Sequence, residues 1–218
     1  AYYVKYRPVF PAAPPGQKVI PNLAGRFAAD FALGAQLAAG SPGSDPASAA
    51  HLLSLARGVY AMAKTTNVGQ LVTVFPHDFY PATQWKSDML WGAAEIALAD
   101  EAAGAPAARV HADLAAAARW ARAYIAQGHD DTFNLYDTGA VAEAELIQAM
   151  RQADAYPVSP ATLLADMAAQ LREIGRRQVA RTPAGHPGVE GDDDALVPRG
   201  LGAADEADLS AGQAALVD

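Results

Sequence analysis

The chain has 218 residues, with 16 Lys and Arg against 24 Asp and Glu for a net charge of −8, and it contains no cysteine. That length suits one large domain or two small ones, and the missing cysteines exclude disulfide frameworks, thiolate zinc sites and cysteine nucleophiles. The acidic balance argues against a nucleic-acid surface, and no apolar run reaches the roughly 18 to 20 residues of a membrane span, so neither nucleic acid nor membrane is expected as a partner.

About a quarter of the residues are Ala, and apolar positions recur at helical rather than strand spacing. The spacing predicts six helices after an extended stretch over residues 1–21. The first, about 22–39, aligns Leu23, Phe27, Phe31 and Gly34/Leu37 as its core face and stops at Gly40-Ser41-Pro42-Gly43. The second, about 46–64, has Asp45 as N-cap and Pro46 at its first position, with Leu52, Leu55/Ala56, Val59 and Ala63 as its stripe. A third, about 84–103, uses Met89, Ala93, Ile96 and Ala97. The fourth, from Pro106 to Gly128, uses Val110, Leu114, Ala118, Ala121 and Ile125. The fifth, about 137–152, carries Val141, Glu145, Leu146 and Met150, and the sixth runs from Ser159-Pro160 through Leu163, Met167, Leu171 and Ile174.

Residues 1–178 hold 16 acids and 14 bases, whereas residues 179–218 hold 8 acids and 2 bases and no aromatic residue. The expected division is therefore a helical domain over 1–178 and an acidic, disordered tail over 179–218. Within that tail Leu196-Val197-Pro198-Arg199-Gly200 is similar to a protease recognition sequence.

The links after helices one, three and five are short, and those after two and four are longer. In a chain of alternating up and down helices the longer segments emerge at one end, where loops can build a site. Aromatics and acids concentrate there: Tyr2, Tyr3, Tyr6 and Phe10, then Phe75, Phe79, Tyr80 and Trp85, then Phe133, Tyr136 and Asp137. Rings stack on the apolar face of a sugar and carboxylates accept its hydroxyls, so the composition fits a carbohydrate cleft. The alternative, that these rings merely pack the loops over the helix ends, stays open. His77-Asp78 and His129-Asp130-Asp131 contain ligand types for a metal, but their spacing matches no defined site. No cofactor is expected, and no spacing supports a structural calcium. His51 and His111 read as helix-surface or packing residues. The chain has no G-x-S-x-G elbow, Gly-rich phosphate loop or H-E-x-x-H motif.

Three separated motifs resemble the catalytic domain of glycoside hydrolase family 9, the endoglucanase and cellulase family, and most closely its actinobacterial-type members. Arg7-Pro8-Val9-Phe10, Pro14-Pro15-Gly16 and Pro21-Asn22-Leu23-Ala24-Gly25-Arg26 resemble the segment entering a mid-domain helix. Phe79-Tyr80-Pro81, Trp85-Lys86-Ser87-Asp88-Met89 and Trp91-Gly92-Ala93-Ala94-Glu95 are similar to its W-x-D-D/E-x-x-W-G-A-A-E motif. Asp131-Thr132-Phe133-Asn134-Leu135-Tyr136-Asp137 resembles its D-T-L-N-L-Y-D motif.

The resemblance covers about residues 1–172. It implies an all-α fold, an incomplete (α/α)6 toroid of six helices in antiparallel hairpins, cut from a longer secreted enzyme. The implied reaction is hydrolysis of β-1,4-glucan with inversion, which needs one protonated carboxylic acid and one carboxylate base roughly 6.5 to 9.5 Å apart. In the family the base lies in a D-A-G-D motif and the acid is a Glu near the domain's C-terminus. This sequence has neither motif, so no catalytic residue carries over. Asp78, Asp88, Asp130, Asp131 and Asp137 are discounted as substitutes, because no sequence context raises a pKa enough for an acid role.

The expected substrate contacts are Tyr80, Trp85, Asp88, Tyr136 and Asp137, with a β-glucan polysaccharide or oligosaccharide as the partner. Ser87-Asp88 stands where the family has two acids. Past Leu171-Arg172 the motifs end; a change of reading frame, an appended segment or a diverged natural terminus each explains the break. A non-catalytic helical module that binds carbohydrate or protein, and another toroid enzyme such as a polysaccharide lyase, are the competing readings.

Overall fold

A computed structural model describes residues 13–40, 43, 45–71, 82–128 and 137–181. Six helices lie in that set: α1 (Pro21–Gly40), α2 (Pro46–Ala61), α3 (Lys86–Ala102), α4 (Ala107–Ile125), α5 (Gly139–Gln152) and α6 (Pro160–Arg181). The extended structure among the described residues is one isolated parallel bridge between Val19 and Ala63. The fold is therefore all-α, and its reversing helices suit an arc of an α/α toroid. Of the expected tail, only residues 179–181 are described, and they continue α6.

Helix α3 organises the packing, because α1, α2, α4 and α5 all lean on it. Apart from half-buried Trp91, its residues are buried on every side from Ser87 to Asp100, so it has no single apolar stripe. Met89, Ala93, Ile96 and Ala97 are buried as expected, but so are Asp88, Glu95 and Asp100 between them. Each of these acids has a partner. Gln36 Nε2 and Trp91 Nε1 donate to the Glu95 carboxylate at 2.8 and 3.1 Å. Arg57 of α2 pairs with Asp100 and, at 2.7 Å, with Asp113 of α4.

The expected face of α1 is corrected at two positions, while Leu23 and Phe31 pack half-buried against the core. Phe27 is 47% exposed and Leu37 63% exposed, while Ala24, Gly25, Ala28, Ala29, Ala32 and Ala35 face inward. Small residues win this face because the backbones nearly touch. A Cβ added at Gly25 would overlap the backbone of Asp88, and one at Gly92 would sit 2.7 Å from the Gly25 carbonyl oxygen. A face of Phe and Leu would hold the two helices too far apart. Val141 of α5 and Leu171 of α6, also expected inward, are exposed. Helix α2 ends at Ala61, with Asp45 capping it by accepting from the amides of Ala47 and Ser48, each at 3.1 Å. The main core joins α3, α4 and α5 through Leu90, Leu98, Leu114, Leu146 and Met150, with Leu163 of α6 against them.

Candidate functional site

The N-termini of α1, α3 and α5 meet the C-termini of α2 and α4 at one end of the helices. Val19, just before α1, exchanges backbone bonds with Met62 and Lys64 after α2, at 2.9 and 2.8 Å. Arg26 of α1 reaches Asp88 in the first turn of α3, and Thr138, just before α5, reaches the same carboxylate. Tyr124, near the end of α4, bonds Asp137. The longer connecting segments therefore leave from the end that their lengths indicated.

Asp88 is fully buried. Its Oδ1 accepts from Arg26 Nε at 2.7 Å and from Thr138 Oγ1 at 3.3 Å. Its Oδ2 is buried with no hydrogen-bond partner among the described residues. Burial pushes this carboxyl up to about 7, outweighing the Arg26 charge and the bonds from Arg26 and Thr138, with the Asp137 charge adding a smaller upward push. The expectation that no acid in these segments carries a raised pKa is thus corrected. The raising cause is desolvation, which depends on how helices enclose the residue and not on its sequence neighbours.

Asp137 is buried and binds both Tyr124 Oη at 3.0 Å and the amide of Gly139 at 2.9 Å. The second bond satisfies an early amide of α5 and closes a local turn. No side chain of any size fits at residue 139, since an added Cβ would overlap the Tyr124 ring. Burial, then the Asp137 charge, raises the Tyr124 phenol well above its ordinary range.

Gln84 does at α3 what a capping side chain does. Its Oε1 accepts from the Ser87 amide at 3.1 Å and its Nε2 donates to Ser87 Oγ at 2.5 Å, while Trp85 at the N-cap position makes no such bond. Ser87 Oγ also meets Thr138 Oγ1 at 3.3 Å, which joins the starts of α3 and α5. The Trp85 ring is half-buried and packs edge-to-face with Trp120 of α4, centroids 5.1 Å apart. Thr83, Gln84, Gln127, Gly128 and Asp137 line a hollow of about 160 Å³ at the same end.

Of the five expected substrate contacts, Trp85, Asp88 and Asp137 lie at this end. Tyr80 and Tyr136 lie outside the described residues, as do His77-Asp78 and His129-Asp130-Asp131. Arg26, Thr138, Tyr124, Trp120 and Gln84 build the end too and were not singled out. Arg26 had only its place in a quoted motif as a signal, since an acid in a helix's first turn is already favoured by the helix dipole and it is burial that calls for the cation. Tyr124 and Trp120 had none beyond helical position. Among the described residues no group of three or more His, Asp or Glu is arranged to hold a metal ion, and no helix is long and apolar enough to cross a membrane.

An all-α array of helical hairpins with rings and carboxylates gathered at one end defines a class of scaffold that includes the toroid-type glycosidases. The sequence model of glycosyl hydrolase family 9 matches residues 3–190, most of the chain and past Arg172, where the readable motifs end. The chain belongs to glycosyl hydrolase family 9, a family of glycoside hydrolases acting on β-1,4-glucans. No curated protein and no solved structure matches it significantly.

Proposed function

We propose that the chain binds β-1,4-glucan at the end where α1, α3 and α5 begin, and that it serves a secreted, inverting hydrolase of cellulose-type polysaccharide. The observation that carries this reading is the meeting of Trp85, Asp88 and Asp137, from two separate family motifs, at one end beside a polar hollow. Trp85 stacks on a sugar face, and Asp137 accepts a hydroxyl from within the hollow it lines. Asp88 is buried at the same end with Arg26 and Thr138 on its Oδ1, and supports the site from within rather than by direct contact with the sugar. The family motifs offer Tyr80 and Tyr136 as further rings for the same sugar.

We further propose that these 218 residues alone do not turn glucan over. Inversion needs an acid on the leaving oxygen and a base on water, each typically contributing about 10² to 10⁴ in rate. Asp88 holds its proton to about pH 7, but Arg26 and Thr138 cover it. Glu143 holds its proton to about pH 9, but it is buried against Gln170 and Asp166. Neither can reach a glycosidic oxygen.

Two measurements test the reading. Calorimetric titration with cellotetraose should show weaker binding by Trp85→Ala at unchanged helicity; loss of helicity instead would favour the packing role. Reducing ends counted over a long incubation with soluble β-glucan should stay at background. Turnover that Asp88→Asn or Asp137→Asn abolishes would overturn the second proposal.

A further inference from the structure

A stacking platform works only if its plane is fixed. Fixing a free side chain costs up to about 2 kcal/mol of rotamer entropy, and a binding site that has already met that cost binds more tightly. Trp85 occupies the N-cap position of α3 and makes no side-chain capping bond there. What meets its ring is Trp120, at 5.1 Å between centroids and 68° between planes. That is the edge-to-face geometry in which the positive rim of one ring meets the negative face of the other. The Arg119 guanidinium stands 5.1 Å over the Trp120 ring, and both indoles rest on the apolar cluster of Val19, Ala24, Ala63 and Met89. Both indoles thus share the cluster beneath them, and the edge-to-face contact with Trp120 adds the aromatic constraint on the plane of Trp85.

We propose that Trp120 is a positioning residue for glucan binding, acting through Trp85 by locking its ring in the plane that stacks on the sugar. The proposal rests on the glucan reading above. Trp120 touches no substrate; it orders the ring that does.

The experiment is a double-mutant cycle on the full chain with cellotetraose as probe, using Trp120→Leu, Trp120→Phe, Trp85→Ala and the double variant Trp85→Ala with Trp120→Leu. Leucine keeps apolar bulk on the cluster but removes the aromatic partner, whereas phenylalanine keeps it. Trp120→Leu should weaken binding about threefold to tenfold, the range of an aromatic pair, and Trp120→Phe should restore it. In the Trp85→Ala background Trp120→Leu should have no further effect, because the ring it orders is gone. The chain has 3 tryptophans, and Trp91 is bonded to Glu95, so circular dichroism should show one coupled indole pair, lost in both single variants Trp85→Ala and Trp120→Leu. Additive losses in the double variant, or binding unchanged in Trp120→Leu while Trp85→Ala binds weakly, would overturn the positioning role and leave the glucan reading standing. Binding unaffected by Trp85→Ala, or absent in the unsubstituted chain, would overturn both.

Discussion

Two buried acids set how this protein should respond to pH. Asp88 carries a folded-state value of about 7 against 3.8 when exposed, and Glu143 about 9 against 4.5, in each case mainly because burial penalises the charge. A raised carboxyl means the folded state binds more protons than the unfolded one, so stability falls as pH rises between the unfolded and folded values. From about pH 4 to about pH 7 both groups contribute to that fall, and from about pH 7 to about pH 9 Glu143 alone does. The Asp88 share is on the order of 4 kcal/mol at roughly 1.4 kcal/mol per pH unit. Urea midpoints across the range should therefore decline from acid to mildly alkaline pH. Asp88→Asn should flatten the lower part of the profile and Glu143→Gln the upper part; a wild-type midpoint that rises with pH would contradict the assignment. The facing groups are known: Arg26, Thr138 and Asp137 for Asp88, and Asp166, Gln170 and Asp137 for Glu143. The Glu143 cluster was legible in principle. Glu143 falls in register with Leu146, Ile147 and Met150, and Asp166 and Gln170 with Leu163, so both helices show polar residues on their apolar stripes. Two such interruptions on consecutive helices indicate a buried polar contact between them. Asp88 offered no equivalent signal, because α3 has neighbours all round and no stripe for an acid to interrupt.

Helix positions are legible in the sequence to within about three residues, except that the sixth runs past Ile174 to Arg181, but helix orientation does not always follow. The fourth helix reads correctly because Val110, Leu114, Ala118 and Ala121 form a stripe with polar residues opposite. The first holds at Leu23 and Phe31, which pack half-buried on the core, and fails at Phe27 and Leu37, because bulk does not mark the innermost face here. In an Ala-rich chain the tightest contact is made by the smallest residues, and Phe27 and Leu37 turn outward as a result. The close crossing of α1 and α3 makes a sharp prediction. Gly25→Ala places a methyl into the Asp88 backbone, where no side-chain rotation relieves it, so it should destabilise by about 3 kcal/mol or more. Because that contact also sets Asp88 against Arg26, glucan binding should weaken with it. Gly58→Ala is the control: nothing lies within 4 Å of its added Cβ, and replacing an exposed helical glycine should stabilise by up to about 1 kcal/mol. Thermal melts of the two variants should move in opposite directions. A Gly25→Ala protein that melts like the unsubstituted chain would mean that α1 and α3 do not approach as described.

Across the helical unit, alternating connector lengths indicate the end at which, among the described residues, the starts of α1, α3 and α5 meet the ends of α2 and α4. What connector lengths do not reveal is which outer faces stay bare. The first described helix presents Phe27, Leu33 and Leu37 to solvent, and the last presents Leu164, Leu171 at 58% exposure and Val179 at 76%. Exposed apolar side chains of this kind favour association in water. The net charge of −8 opposes it by mutual repulsion. These two terms respond oppositely to salt, which lets an experiment separate them. Salt screens repulsion between exposed charges over about a Debye length, roughly 8 Å at physiological ionic strength, and it does not weaken apolar contact. Sedimentation velocity should therefore show concentration-dependent association that grows as salt is raised. Leu33→Glu combined with Leu37→Glu should reduce it, since both side chains are exposed and their loss removes no core contact. Association that fades with added salt would mean that ion pairs hold the copies together, and a monomer at every concentration would mean that the outward faces of α1 and α6 are too dispersed to join.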